Sequence, residues 1–98
     1  MQKTLAKWTV ATHPDDAYAA PEVAGNPGLG GIDQRGKRVI TSRIQSFRGR
    51  FVTTASGSVY QLVGEPDEHF LKFLKDKRLK FNDREPLAPL VRARFIYL

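Results

Sequence analysis

Hydrophobic and polar residues alternate along three consecutive stretches between residues 38 and 64. Two dipeptides, Arg48-Gly49 and Ser56-Gly57, interrupt the alternation where two-residue hairpin turns would lie. A period of two residues is typical of strands that bury one face and expose the other. The segment 38–64 therefore predicts a three-stranded antiparallel meander.

The two turns also predict the register of this meander. If each turn is centred on its dipeptide, Ser46 pairs with Phe51, and Thr53 pairs with Tyr60. One face is then expected to lie in the core, and it carries Ile40, Ile44, Phe51, Tyr60 and Leu62. The other face is basic, and it carries Lys37, Arg43, Gln45, Arg50, Thr54 and Gln61, with Val39, Phe47, Val52, Val59 and Val63 among them. A slip by one residue is not expected, because it would bury two arginines.

The flanking segments predict further elements. "LAKWTVAT" at residues 5–12 predicts a strand, and "LVRARFIYL" predicts a C-terminal strand at residues 91–98. Residues 66–78 predict a helix, because acidic residues precede basic ones along it. Its apolar positions follow helical spacing, at Phe70, Phe73 and Leu74. Residues 13–36 contain three prolines and five glycines and predict a long loop.

Together these elements predict a single small domain, residues 1–98, of the α+β class. We expect a curved antiparallel sheet of four to five strands around the central meander, bent toward a small barrel, with one packed helix. The terminal strands would pair with each other or with an edge of the meander. The chain has no cysteine, which excludes disulfides, thiolate zinc sites and a cysteine nucleophile. No signal-length or membrane-length apolar run occurs, so we expect a cytoplasmic protein without membrane contact.

The net charge of +6 comes from one segment of the chain. Between Gln34 and Gly64 there are six basic residues and no acidic residue, and the remaining ten basic residues balance the ten acidic ones. Concentrated positive charge attracts a polyanion or the acidic surface of a protein. The alternative is a solvated sheet face whose charge only keeps the protein in solution.

The tripeptide Arg48-Gly49-Arg50 lies at the first hairpin turn. The turn explains the glycine, since a primed turn needs a positive φ, but it does not explain the arginines. An aromatic side chain among arginines on a sheet can stack on bases while the arginines pair with phosphates, and Phe47 is the predicted aromatic. The predicted binding residues are therefore Arg35, Lys37, Arg38, Arg43, Phe47, Arg48 and Arg50.

Other motifs predict no chemistry. "GNPGLGG" at residues 25–31 lacks the Gly-Lys-Ser/Thr of a phosphate loop and predicts a surface loop. "HPDD" at residues 13–16 offers one histidine and two adjacent carboxylates, which do not make three convergent metal ligands. We expect Asp15 and Asp16 to start a turn or to cap a short helix. No nucleophile elbow or apolar carboxylate pair occurs. We expect a non-enzymatic protein without a metal or cofactor.

The stretch "ITSRIQSFRGRFVTTASGSVYQLVGEPDEHFLKFL", residues 40–74, resembles uncharacterised small accessory proteins of proteobacterial phages and mobile elements. The resemblance is carried by Thr41-Ser42-Arg43-Ile44, Gly49-Arg50, Thr54, Ser56-Gly57, Tyr60 and Gly64-Glu65-Pro66. It assigns no functional residue.

Two functions are expected from the sequence. One is a binding module that contacts nucleic acid or a nucleoprotein complex through the basic face of the meander. The other is a protein-binding inhibitor that docks on an acidic or nucleic-acid-receiving protein surface. The resemblance implies a context for the second, since small phage accessory proteins often inhibit host nucleic-acid machinery, CRISPR–Cas complexes included.

Overall fold

The computed structural model describes residues 3–11 and 26–98. In this part of the chain, the strands are β1 (Lys3–Ala11), β2 (Gly28–Ile32), β3 (Arg38–Arg48), β4 (Phe51–Thr54) and β5 (Val59–Val63). The helices are α1 (Glu68–Asp76) and α2 (Ala88–Arg92).

The five strands form a closed barrel in chain order. Neighbours along the chain pair antiparallel, and β1 pairs with β5 in parallel to close the barrel. An odd number of strands that alternate in direction makes the first and last run the same way, so the closure has to be parallel. The predicted α+β class, the central meander and the packed helix are confirmed.

The register of β4 differs from the prediction. Ser46 pairs with Thr53 instead of Phe51, and Thr53 pairs with Val59 instead of Tyr60. Val52 is therefore completely buried, while Phe51 is 45% exposed. The difference arises because the β3–β4 turn is centred one position later than expected, between Arg48 and Phe51. An irregularity in β3 between Ile44 and Ser46 then keeps Ile44 in the core.

Two other predicted core positions also differ from the prediction. Ile40 is 73% exposed, and Tyr60 is only half-buried at the edge of the core. The core inside the barrel is formed by Leu5, Trp8, Leu29, Ile44, Val52 and Leu62, and it continues into Phe70, Leu74, Leu87, Leu90 and Ile96.

The predicted loop at residues 13–36 contains a strand, β2. Two of its glycines, Gly28 and Gly31, are required by close contacts, since a Cβ atom on Gly28 would lie 2.4 Å from the carbonyl oxygen of Thr41. A Cβ on Gly31 would lie 3.0 Å from the carbonyl oxygen of Ala6. Glycine thus lets β1 and β3 approach β2 from both sides. Residues 13–25 of the predicted loop lie outside the described residues, and residues 33–36 form the turn between β2 and β3.

The predicted C-terminal strand at residues 91–98 is wrong. The chain forms α2 and then a turn in which the carbonyl oxygen of Leu90 accepts a hydrogen bond of 2.8 Å from the Phe95 N–H. Because β1 pairs with both β2 and β5, the closed barrel leaves no edge for a sixth strand. Leu90 and Ile96 are buried in the core instead.

The predicted helix is confirmed, with bounds two residues inside the expected ones at each end. Asp67 caps α1, because its carboxylate accepts a hydrogen bond from the His69 N–H. The Asp67 N–H donates to the carbonyl oxygen of Trp8 at 2.8 Å, and the rings of Trp8 and Phe70 lie 5.1 Å apart. These contacts hold the start of α1 against β1.

Candidate nucleic-acid interface

The structure separates the basic residues that the sequence groups together. Lys37 and Arg38 are exposed beside the start of β3, whereas Arg48 is exposed at its end. Eleven residues of extended chain span about 30 Å, and the longest dimension of the molecule is 33 Å. The predicted patch is therefore a row of charges along β3 and not one compact cluster.

Arg50 is occupied by structural hydrogen bonds. Its Nε donates to the carbonyl oxygen of Asp83 at 2.8 Å, and its Nη2 donates to Oδ1 of the same residue at 2.8 Å. Its Nη1 donates to the carbonyl oxygens of Leu62 at 3.1 Å and Gly64 at 3.0 Å. The guanidinium thus joins the β3–β4 turn to the end of β5 and to the segment after α1. These hydrogen bonds offset the free-energy cost of partly burying the guanidinium, so they stabilise the observed pairing of β3 with β4.

Arg35 is paired with a neighbouring carboxylate. Its Nη2 lies 3.1 Å from Oδ2 of Asp33, and its Nε lies 3.2 Å from the same oxygen. The Lys37 N–H donates to Asp33 and lowers the pKa of that carboxyl below 3.8, and the Arg35 N–H and guanidinium lower it further against the opposing effect of burial. Arg35 therefore contributes less free positive charge to the surface than the sequence suggests.

Two more predicted residues are not fully exposed. Arg43 is half-buried in the middle of β3. Phe47 is half-buried and packs against the core. Phe47 is thus not the exposed aromatic residue that the sequence predicts.

Phe51 is the exposed aromatic residue on the sheet, the role that was predicted for Phe47. It lies on the outside of the barrel, directly opposite Arg48 on the neighbouring strand. Val59 on β5 is 46% exposed and pairs with Thr53, so it lies diagonally next to Phe51. We call this the outer sheet face, which consists of Ser46, Arg48, Phe51, Thr53, Val59 and Gln61.

Sequence reasoning missed Phe51 because β4 is only four residues long. In "FVTT", Phe51 and Val52 are both apolar and adjacent, so either could face the core. The alternation of apolar and polar residues within the strand does not show which of the two faces the core. The hydrogen bonds of Arg50 would indicate the register, but its partner Asp83 lies 33 residues away, so the local sequence does not reveal them.

A groove of about 440 Å³ lies beside the first part of β3. We call it the β1–β3 groove, and its lining includes Lys7, Gly30, Arg38, Ile40, Asp67 and His69. Its lining residues belong to β1, β2 and β3 and to the start of α1. It combines two cationic side chains with an exposed isoleucine.

Within residues 3–11 and 26–98, no group of three histidine or acidic side chains is placed to hold a metal ion. The "HPDD" segment at residues 13–16 lies outside this part of the chain. In the same two ranges, no helix has the length and apolar character needed to cross a membrane.

No protein-family model matches the chain, and neither does any curated protein or solved structure. The fold and surface define a small five-stranded barrel with an arginine–phenylalanine pair exposed on its outer sheet face.

Proposed function

We propose that this protein binds single-stranded nucleic acid on the outer sheet face and acts as a non-enzymatic binding module of the cytoplasm. The observation that carries the proposal is the pairing of Arg48 with Phe51, two exposed side chains directly opposite each other on neighbouring strands. A guanidinium and a phenyl ring at this spacing, about 5 Å between Cβ atoms, can engage one nucleotide together.

A single strand suits this pair better than a duplex does. The face of an exposed phenyl ring can stack on an unpaired base, which contributes roughly 1–3 kcal/mol per base. Bases in a duplex are stacked on each other and leave only their edges accessible. The polar residues beside Phe51 on the outer sheet face, Ser46, Thr53 and Gln61, are able to hydrogen bond to bases or sugars.

The charge around this face supports the same proposal. The segment between Gln34 and Gly64 has no acidic residue, so no carboxylate within β3, β4 or β5 repels a phosphate. Lys37, Arg38 and Arg48 are exposed along β3. If three to four phosphates of a single strand are neutralised, the logarithm of the binding constant should fall with the logarithm of the salt concentration with a slope of about −2 to −3.

The test is a fluorescence anisotropy titration with labelled single-stranded DNA and RNA of about 12 nucleotides and with a duplex of the same length, at two salt concentrations. We expect Phe51→Ala and Arg48→Ser each to weaken single-strand binding about tenfold, the equivalent of about 1.4 kcal/mol. Arg92→Ser is the matched control, because Arg92 is an exposed arginine on α2, outside the outer sheet face. It should leave the affinity within about twofold.

Two results would overturn the proposal. One is the absence of binding to any of these nucleic acids at low salt. The other is an equal loss of affinity for Arg48→Ser and Arg92→Ser, which would indicate attraction to net charge without a defined site.

A protein partner is the second candidate, and the exposed apolar pair Phe51 and Val59 favours it. Aromatic residues are enriched at protein interfaces, and the basic residues nearby would suit an acidic or nucleic-acid-receiving surface. Such a protein would match the resemblance to phage inhibitors of host nucleic-acid machinery. A host protein that remains bound after nuclease treatment, and that Phe51→Ala releases, would replace nucleic acid as the partner.

A further inference from the structure

In the β1–β3 groove, a glycine lies between two larger residues on adjacent strands. Gly30 pairs with Thr9 on β1 and with Ile40 on β3, so the three residues form one row across the sheet. The middle position of this row has no side chain, and the neighbouring side chains stand on both sides of it. The start of α1 closes the groove with Asp67 and His69.

The groove carries more positive than negative charge. Lys7 and Arg38 line it, and both are exposed. Asp67 is the carboxylate among its lining residues, and one of its oxygens accepts the N–H of His69 at 3.0 Å. Two cations around one partly engaged carboxylate favour an anion such as a phosphate group.

The backbone at Lys7 gives the groove a second unusual feature. Lys7 has a φ of 46° and lies where the β1–β2 register shifts, between Ala6 and Thr9. Lysine rarely adopts this left-handed conformation, and such irregularities in strands often redirect a side chain at functional sites. In this structure the redirected residue is one of the two cations that line the groove.

An exposed apolar side chain accompanies the charge. Ile40 lines the groove and is 73% exposed, in the part of β3 that pairs with β2 but lies before the residues paired with β4. The groove volume of about 440 Å³ falls within the range of roughly 300–1,000 Å³ that holds small ligands. A ligand with an apolar ring and a phosphate would match Ile40 and the cations together.

We propose that the β1–β3 groove binds one nucleotide, with its phosphate between Lys7 and Arg38 and its base against Ile40. This inference rests on the proposed function, because it extends the same nucleic-acid surface along β3. The exposed residues Arg38, Ile40, Gln45, Ser46 and Arg48 connect the groove with the outer sheet face.

The distance between the two ends of this surface predicts a dependence on strand length. Arg38 and Arg48 are separated by about 30 Å of extended chain. Single-strand sites on small barrels cover roughly 4–16 nucleotides. An oligonucleotide at the short end of this range would reach only one of the two ends at a time, whereas a longer one would contact the outer sheet face and the groove together.

The experiment compares oligothymidylates of about 4 and about 12 nucleotides on the wild-type protein and on Arg38→Ser, Ile40→Ser and Arg48→Ser. We expect Arg38→Ser and Ile40→Ser to weaken binding of the longer strand about fivefold and of the shorter one by less than about twofold, because the outer sheet face still binds the shorter strand. Arg48→Ser should weaken both. Both groove positions are exposed, and circular dichroism checks that each variant is folded.

A second measurement separates a nucleotide from a simple anion. Thymidine monophosphate, thymidine and inorganic phosphate are each titrated while the amide resonances of Lys7, Gly30, Gly31 and Arg38 are followed by NMR. We expect the monophosphate to shift these resonances more strongly than either part alone. Equal shifts with phosphate alone would overturn the base contact and leave an adventitious ion only.

The two proposals can fail separately. If the longer strand binds and the two groove variants bind it as tightly as the wild type, the groove proposal is overturned and the proposed function stands. If no oligonucleotide binds, the proposed function fails, and the thymidine monophosphate titration then decides the groove alone. Absence of shifts in that titration overturns the nucleotide site.

Discussion

Arg50 and Asp83 are joined by two hydrogen bonds of 2.8 Å, one to the carboxylate and one to the carbonyl oxygen of the aspartate. They lie 33 residues apart in the chain. The same guanidinium also donates hydrogen bonds to the end of β5. The Arg50 side chain therefore links three parts of the fold, which are the β3–β4 turn, the end of β5 and the segment after α1. Of the two arginines in the turn tripeptide, Arg50 is structural and Arg48 is exposed.

We expect Arg50→Ser to lower the free energy of unfolding by about 2 kcal/mol, since it removes charge-assisted hydrogen bonds and leaves the Leu62 and Gly64 carbonyl oxygens without their donor. The side chain is 23% exposed, so part of the loss is compensated by water. Urea unfolding gives the value. Arg48→Ser is the matched control and should change stability by less than about 0.5 kcal/mol. Equal effects of the two substitutions would contradict the structural role of Arg50.

Gly49 has a φ of +59°, as the turn requires. We expect Gly49→Val to destabilise the protein by roughly 1–3 kcal/mol, because a β-branched residue is strained in this conformation. A steric clash is not the cause, since the nearest atom to an added Cβ is the Arg84 carbonyl oxygen at 3.5 Å. Gly49→Asn is the control, because asparagine tolerates positive φ and should cost clearly less. Thermal or urea unfolding that ranks the two variants in the opposite order would refute this account.

The corrected register makes opposite predictions for two phenylalanines. Phe47→Ala should lower the free energy of unfolding by roughly 2–3 kcal/mol, because Phe47 packs against the core. Phe51→Ala should cost less than about 1 kcal/mol, since Phe51 is exposed on the outer sheet face. Chemical denaturation of the two variants checks the order. If Phe51→Ala were the more destabilising, the register first expected from the sequence would be the correct one.

Asp33 should contribute to the pH dependence of stability. Its pKa is held below 3.8 by the Lys37 N–H and by Arg35. A carboxyl with a lower pKa in the folded state stabilises the protein above its unfolded pKa, and this stabilisation is lost as the pH falls through the folded pKa. We therefore expect the stability difference between wild type and Asp33→Asn to shrink in acid. Urea unfolding from neutral pH down to about pH 2 measures it. A difference that stays constant would contradict the role of the ionised carboxylate.

The parts of the fold that the sequence alone determined are those that depend on near neighbours. The helix α1 was predictable because its cap and its apolar stripe lie within three turns of chain. The meander was predictable because alternation and positive-φ glycines mark its strands and turns. The concentration of positive charge between Gln34 and Gly64 is also a property of the sequence alone.

The tertiary structure decided the features that depend on distant partners. Gly28 and Gly31 of β2 are required because Thr41 and Ala6 approach from other strands, and a glycine-rich segment looks like a loop without those strands. In the register that exposes Phe51, the partly buried Arg50 is satisfied by hydrogen bonds to Asp83 and to the carbonyl oxygens of Leu62 and Gly64. The last residues became α2 and a turn because barrel closure left no free edge. In each case the deciding contact joins residues far apart in the chain, and local alternation carries no information about it.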